Sequence, residues 1–267
     1  QRASQLMMWA AGIDSLKPHQ EKLLAIMDET TPARPLGSLE LQPDLELPSW
    51  YTENDIHLNP GGYWGEELVG AIYQRSAAIY RTGWRHSRGS EDMMAFARSA
   101  PPQDYRRILD MGCSFGRSTM IFRNAYPDAE EVVGIDLSAN ALKWGHLTAE
   151  EQGLEITFAQ RDVADTGYPG ESFDLITSYL LMHEMPPDEV DRTVQEAFRL
   201  LRPGGHLMFM DMPRYATLAP QIAFMEDFDT TGNGEPFWGP FLSRDFPAIL
   251  RDTGFVNVNE GPLDYDD

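Results

Sequence analysis

From residue 105 onward, short apolar runs alternate with stretches of helical period: RRILDM, then 117–125; VVGIDL, then 138–152; EITFAQ; FDLITSYLL, then 187–201; HLMFMD. Strands separated by helices are joined by crossovers, which pair them in parallel and cover both faces of the sheet. The expected fold is therefore α/β, a doubly wound, mostly parallel, Rossmann-like sheet within residues 103–267. In LRPGGH, Pro203 stops a helix and Gly204–Gly205 turn the chain back into the sheet, so this pair is punctuation. A helix over 243–252 and a last strand, FVNVN at 255–259, are expected to follow.

Residues 1–102 read as a helical cap, with helix-like stretches at 4–11, 18–29, 65–82 and 90–99 broken by TPARPLG and LNPGGYWG. Segment 213–242 is too long for an ordinary connection and reads as a lid insertion after the fifth strand of the alternating pattern. Tyr51, His57, Tyr63, Trp64 and Tyr73 in the cap, with Phe224, Phe228, Phe237 and Trp238 in the insertion, are expected to wall an apolar acceptor pocket. Plain core is the structural alternative for such aromatics.

The formal charge of −21, from 42 acidic against 21 basic residues, argues against nucleic acid or an anionic membrane as partner. No apolar run is long enough to cross a bilayer, and the opening QRASQLMMWA lacks the parts of a signal peptide, so a soluble cytoplasmic chain is expected. Cys113, the single cysteine, rules out an internal disulfide and suits a reducing compartment. The six histidines never fall at local metal-ligand spacing, and a metal-free site is the expectation.

The segment RRILDMGCSFGRST carries a strand, a tight turn at Gly112 and Gly116, and a helix from about Ser118. Such a turn lets backbone approach a ligand at the carboxyl ends of the strands. A dinucleotide fingerprint needs G-x-G-x-x-G, but from Gly112 the next two glycine positions hold Ser114 and Arg117. Asp110 would repel the phosphates of NAD and suits the ammonium of a methionine moiety, so charge favours S-adenosylmethionine. The next strand ends in Asp136, placed to accept from two ribose hydroxyls, and the third leads to Asp162 and Val163, placed for the adenine amino group and ring. Taken singly, a strand–Gly turn is often a tight connection and an Asp an N-cap.

With these residues in order, the chain resembles the class I S-adenosylmethionine-dependent methyltransferases: LDMGCSFG, VVGIDLS, AQRDVADTGYPGESFDLITSYLLMHE and LLRPGGHLMFMD stand where that family has its motifs, across about residues 105–212. The resemblance implies S-adenosyl-L-methionine as cofactor and a small-molecule methyl acceptor, with in-line transfer to a carbon or oxygen nucleophile. It implies Asp110, Gly112, Cys113 and Gly116 around the methionine part, Asp136 and Leu137 at the ribose, Asp162 and Val163 at the adenine, and Ser178 beside the sulfonium. Ser114 departs from the usual middle glycine, and VNVNEGPLDYDD leaves the family's closing hairpin short.

His183, just past the fourth strand in SYLLMHEM, is the candidate general base, since histidine titrates near neutrality. The structural alternative is a histidine that closes the turn by bonding to backbone. SYLLMHE is also similar to the fourth-strand region of polyketide C-methyltransferase domains, which implies secondary metabolism and a dyad of His183 with Asp211. Glu184 is an alternative acid, expected to point away from His183. Two other functions stay open: an enzyme using S-adenosylmethionine for another reaction such as cyclisation, and a non-catalytic module that binds it.

Overall fold

The computed structural model of the chain describes residues 2–29, 35–83 and 90–263. Six strands, β1 (Ser38–Glu40), β2 (Arg107–Met111), β3 (Glu131–Asp136), β4 (Thr157–Gln160), β5 (Phe173–Tyr179) and β6 (Leu201–Met210), form one sheet in the order β1-β4-β3-β2-β5-β6. Every adjacent pair is parallel. Before β2 lie helices α1 (Arg2–Leu16), α2 (Gln20–Glu29), the short turns α3 (Ser49–Thr52) and α4 (Gly62–Gly65), α5 (Val69–Gly83) and α6 (Ser90–Arg98). The crossovers are α7 (Arg117–Ala125), α8 (Ala139–Glu151) and α9 (Pro187–Leu200), and α10 (Pro220–Asn233), α11 (Trp238–Leu242) and α12 (Phe246–Thr253) follow β6.

The central strands read as continuous apolar runs because helices cover both their faces: Ile108, Leu109, Met111, Ile135, Leu175 and Ile176 are fully buried. The crossovers start where the local chemistry allows. The Ser138 hydroxyl caps α8 by accepting from the Ala141 N–H, and Pro187 opens α9, where its missing N–H costs nothing. Chain order runs outward from β2 to β3 and β4, then returns to β5 and β6. The order reverses between β2 and β5, and a crevice opens at the carboxyl ends of these strands.

Three sequence expectations change. The N-terminal region is not only helical: β1 adds a parallel strand beside β4, with Ser38 opposite Thr157. The Glu150 carboxylate holds its entry, accepting from the Leu36 and Gly37 N–H groups. The Pro203–Gly205 punctuation lies inside β6 as an irregularity, the register passing from Phe173↔Leu201 to Leu175↔His206. FVNVN forms no strand. Asn257 adopts a left-handed conformation (φ 56°), the Asn259 side-chain amide donates to the Asn257 carbonyl, and the Phe255 ring turns back onto Phe198. Alternating apolar and amide residues imitate a strand, but the asparagines satisfy the backbone locally. Residues 264–267, the end of the expected short hairpin strand, lie outside the described residues. Among the described residues no helix is long and apolar enough to cross a membrane.

Candidate active site

A cavity of about 440 Å³ opens at the carboxyl ends of β2, β3 and β5 and is closed over by α1, the 49–63 segment and Trp238. Gly112, Cys113, Asp136, Leu137, Asp162 and Val163 line one end; Tyr51, His57, Tyr63, His183 and Trp238 line it as well. Sequence reasoning missed Trp9 and Trp50, which help roof the chamber; Glu184, the alternative acid, lines it too. Trp9 lies in a helix whose apolar residues show no clear stripe, so nothing in its neighbourhood marks it.

The turn after β2 is built for close approach of a ligand. Gly112 (φ 69°) and Gly116 (φ 77°) both require the left-handed region, and a Cβ on Gly116 would lie 2.4 Å from the Phe158 ring. Ser114 takes the same conformation (φ 51°) despite its side chain, and its N–H donates to Asp136 Oδ2 at 2.8 Å. Asp136 Oδ1 accepts from the Ser138 N–H at 2.8 Å, so one carboxylate ties the two strand-end turns together. Burial pushes the Asp136 pKa up to about 6, against these backbone bonds.

Asp110 lies one layer behind the cavity wall, fully buried. Its Oδ2 accepts from the Ser118 and Thr119 hydroxyls, each at 2.6 Å, and Oδ1 has no hydrogen-bond partner among the described residues. Burial raises its pKa to about 6, with the two hydroxyls opposing. Ser118, whose hydroxyl donates to Asp110, does line the cavity. Gly116 and Ser178 likewise sit behind the wall, the Ser178 hydroxyl buried without a hydrogen-bond partner among the described residues. Asp162 Oδ1 accepts from the Ala164 N–H, fixing the turn after β4.

His183 occupies a 3-10 turn beyond β5 and is 3% exposed. Its Nδ1 bonds Asp211 Oδ1 at 2.6 Å, and Asp211 also accepts from the Met182 and Met212 N–H groups. The histidine is thus paired with a carboxylate rather than with backbone. Burial works against its charged form, but the Asp211 charge and hydrogen bond outweigh it and raise the pKa. Glu184 does not point away: its Oε1 bonds His57 Nε2 at 2.9 Å, and the tight turn lets both neighbours face one chamber. On its other side His57 Nδ1 touches buried Glu235, from the loop after α10. Burial alone would lower the His57 pKa; the Glu235 and Glu184 charges raise it well above the ordinary value. A ring nitrogen of His57, a ring nitrogen of His183 and a carboxylate oxygen of Glu184 lie within 4.8 Å of one another, close enough to hold a metal ion.

Four expected pocket residues, Trp64, Phe224, Phe228 and Phe237, do not line the cavity. Trp64 is 43% and Phe224 68% exposed. Trp64 follows the left-handed Gly61–Gly62 pair, which turns its indole outward, and Phe224 lies on the outer face of α10 together with exposed Phe228. Around the chamber the Trp50 and Trp238 indole N–H groups are buried with no hydrogen-bond partner among the described residues. A polar ligand is the ordinary solution to such orphaned groups.

A glycine turn after β2, strand-end carboxylates and a cavity at the switch point define the class as a doubly wound, nucleotide-binding type of fold. Residues 108–205 match a family described as a methyltransferase domain. The chain is 26% identical over 157 residues to the uncharacterized methyltransferase YcgJ of Bacillus subtilis, covering 58% of each chain. It is 37% identical over 112 residues to a ubiquinone biosynthesis O-methyltransferase of Alkalilimnicola ehrlichii, covering 41% of this chain and 42% of that one. A putative methyltransferase from Bacillus halodurans shares the fold at a TM-score of 0.51 and 23% identity, over 62% of this chain and 69% of that one. The chain thus spans about half the length of the curated relatives it matches.

Proposed function

We propose that the chain transfers a methyl group from S-adenosylmethionine to a carbon or oxygen nucleophile of a small molecule. The observation that carries this reading is that the turn beginning at Gly112, Asp136 and Asp162 line the same cavity as His183, whose ring is held by Asp211 behind it. The residues fit the cofactor: Asp110 Oδ1 is an orphaned buried acceptor, and the Gly112 turn offers backbone without Cβ. When bound, S-adenosylmethionine supplies an electrophilic sulfonium methyl group. Asp110, through Ser118, favours the ammonium end; Asp136 and Leu137 hold the ribose, and Asp162 and Val163 the adenine.

The chain's own contribution is placement and exclusion of water, which supply much of the rate of a displacement. The 1–102 cap and the 213–242 insertion close the chamber and place the acceptor, with Trp50, Trp238, Tyr51 and Tyr63 offering donors to its oxygen atoms. Asp211 fixes the His183 ring, Nδ1 toward itself, so that Nε2 is the atom available to activate the nucleophile. An acceptor from secondary metabolism and a reducing cytoplasm, for which the single buried cysteine is suited, complete the reading.

Titration calorimetry tests it: S-adenosylmethionine and S-adenosylhomocysteine should bind with micromolar affinity, about −8 kcal/mol. Asp136→Ala should weaken both by roughly 1–3 kcal/mol. Heat from NAD and none from either sulfur ligand would reject the assignment.

A further inference from the structure

We propose that His57, His183 and Glu184 form a binding site for one divalent transition-metal cation of the zinc type, at the acceptor end of the cavity. The three residues come from two distant parts of the chain, and their ligand atoms converge within 4.8 Å. A zinc ion sits about 2.0–2.2 Å from such ligands, so side-chain movements of about 1 Å would close the set. His57 Nε2 and Glu184 Oε1 already stand 2.9 Å apart.

What surrounds the trio distinguishes it from a chance cluster. Nδ1 of each ring faces a second carboxylate, Asp211 at His183 and Glu235 at His57. That is the arrangement by which metal-binding histidines are fixed in one tautomer and made better ligands, with Nε2 turned to the ion. The Glu235 side chain is 0% exposed, and neither of its oxygens makes another hydrogen bond among the described residues. The ion pairs of Glu184, Glu235 and Asp211 are all to histidine. The backbone also holds His57 in place at some cost: His57 (φ 57°) and Leu58 (φ 56°) are both left-handed, and the Trp9 indole N–H donates to the His57 carbonyl at 2.7 Å. Strain of that kind in non-glycine residues gathers at sites that need it.

Two histidines and one glutamate leave an open coordination position. An acceptor hydroxyl or enol oxygen taking it would lose its proton to water well below its solution pKa. This role rests on the transferase reading, whereas the binding of the ion does not.

The test uses the full chain, stripped with a chelator and titrated with Co2+, whose visible absorption reports coordination number, then with Zn2+ in competition. One equivalent is expected, in four- or five-coordinate form, with a dissociation constant below about 1 µM. Glu184→Gln and His57→Ala should weaken binding at least about a hundredfold, and Glu235→Gln roughly 10–100-fold. S-adenosylhomocysteine binding, measured on the same samples, reports whether each variant is folded. Absence of a stoichiometric Co2+ spectrum from the parent, or parental affinity in Glu184→Gln and His57→Ala, overturns the site. Homocysteine-ligand binding without metal binding leaves the transferase reading standing with His183 acting alone; metal binding without it leaves the ion site and removes that reading.

Discussion

Ser114 shows at the scale of one residue how the cofactor turn departs from a glycine pattern. The turn forces its φ to 51°, a conformation that costs a residue with a side chain about 1–2 kcal/mol, while its N–H is committed to Asp136. Ser114→Gly is therefore expected to raise stability by about 0.5–1 kcal/mol, net of the entropy glycine loses, as read by urea denaturation. A loss of stability would mean that the Ser114 hydroxyl has a role in the fold. His183 and Asp211 make a different prediction, because a pair that acts as a unit is not additive. His183→Gln is expected to lower single-turnover methyl transfer by about 10²–10⁴ with cofactor affinity nearly intact. Adding Asp211→Asn should cost little more. The assay needs an acceptor, to be sought first by mass spectrometry of ligand retained on the purified protein, and a rate within threefold of the parent would remove His183 from the chemistry.

Elements explain what the sequence could and could not say. β2 to β5 and their crossovers were legible because both strand faces are buried and each helix starts at a Ser, Pro or Gly, all of which are local signals. The strand-end carboxylates followed from the same register. β1 was not legible, since two exposed residues around one half-buried leucine are too short a pattern and depend on β4 for their hydrogen bonds. Nor was the His57–Glu184–Glu235 group, whose members are brought together only by the way α1 and the loop after α10 meet the β5 turn. α1 is the element to test. Buried Trp9 stacks on Tyr73 and donates to the His57 carbonyl. Trp9→Phe keeps most of the packing and removes the donor, so it should cost about 1–2 kcal/mol in urea denaturation. An unchanged stability would show that α1 is held by apolar contacts alone.

Over the whole molecule, a chain of net charge −21 places two buried carboxylates, Asp110 and Asp136, beneath the proposed cofactor, each with its pKa pushed up to about 6 by burial. The folded protein without ligand therefore holds these two protons more tightly than the unfolded chain does. The stability they contribute is fully present below about pH 4 and is lost as the pH rises through 6, roughly 3 kcal/mol for each group. Binding of a cation beside Asp110, and of ribose hydroxyls at Asp136, favours the ionised forms and reverses that preference. Protons must then leave as S-adenosylmethionine enters. Its affinity should rise with pH from 5 to about 7 and level off above, by up to tenfold per unit for each group that titrates. Calorimetry in buffers of different ionisation enthalpy reads the released protons directly. Asp110→Asn should flatten part of the slope, because an amide at that position has no proton to lose. An affinity independent of pH between 5 and 8 would mean that both carboxylates are already ionised in the free protein, and that the unpaired Asp110 oxygen is not the group that receives the ammonium.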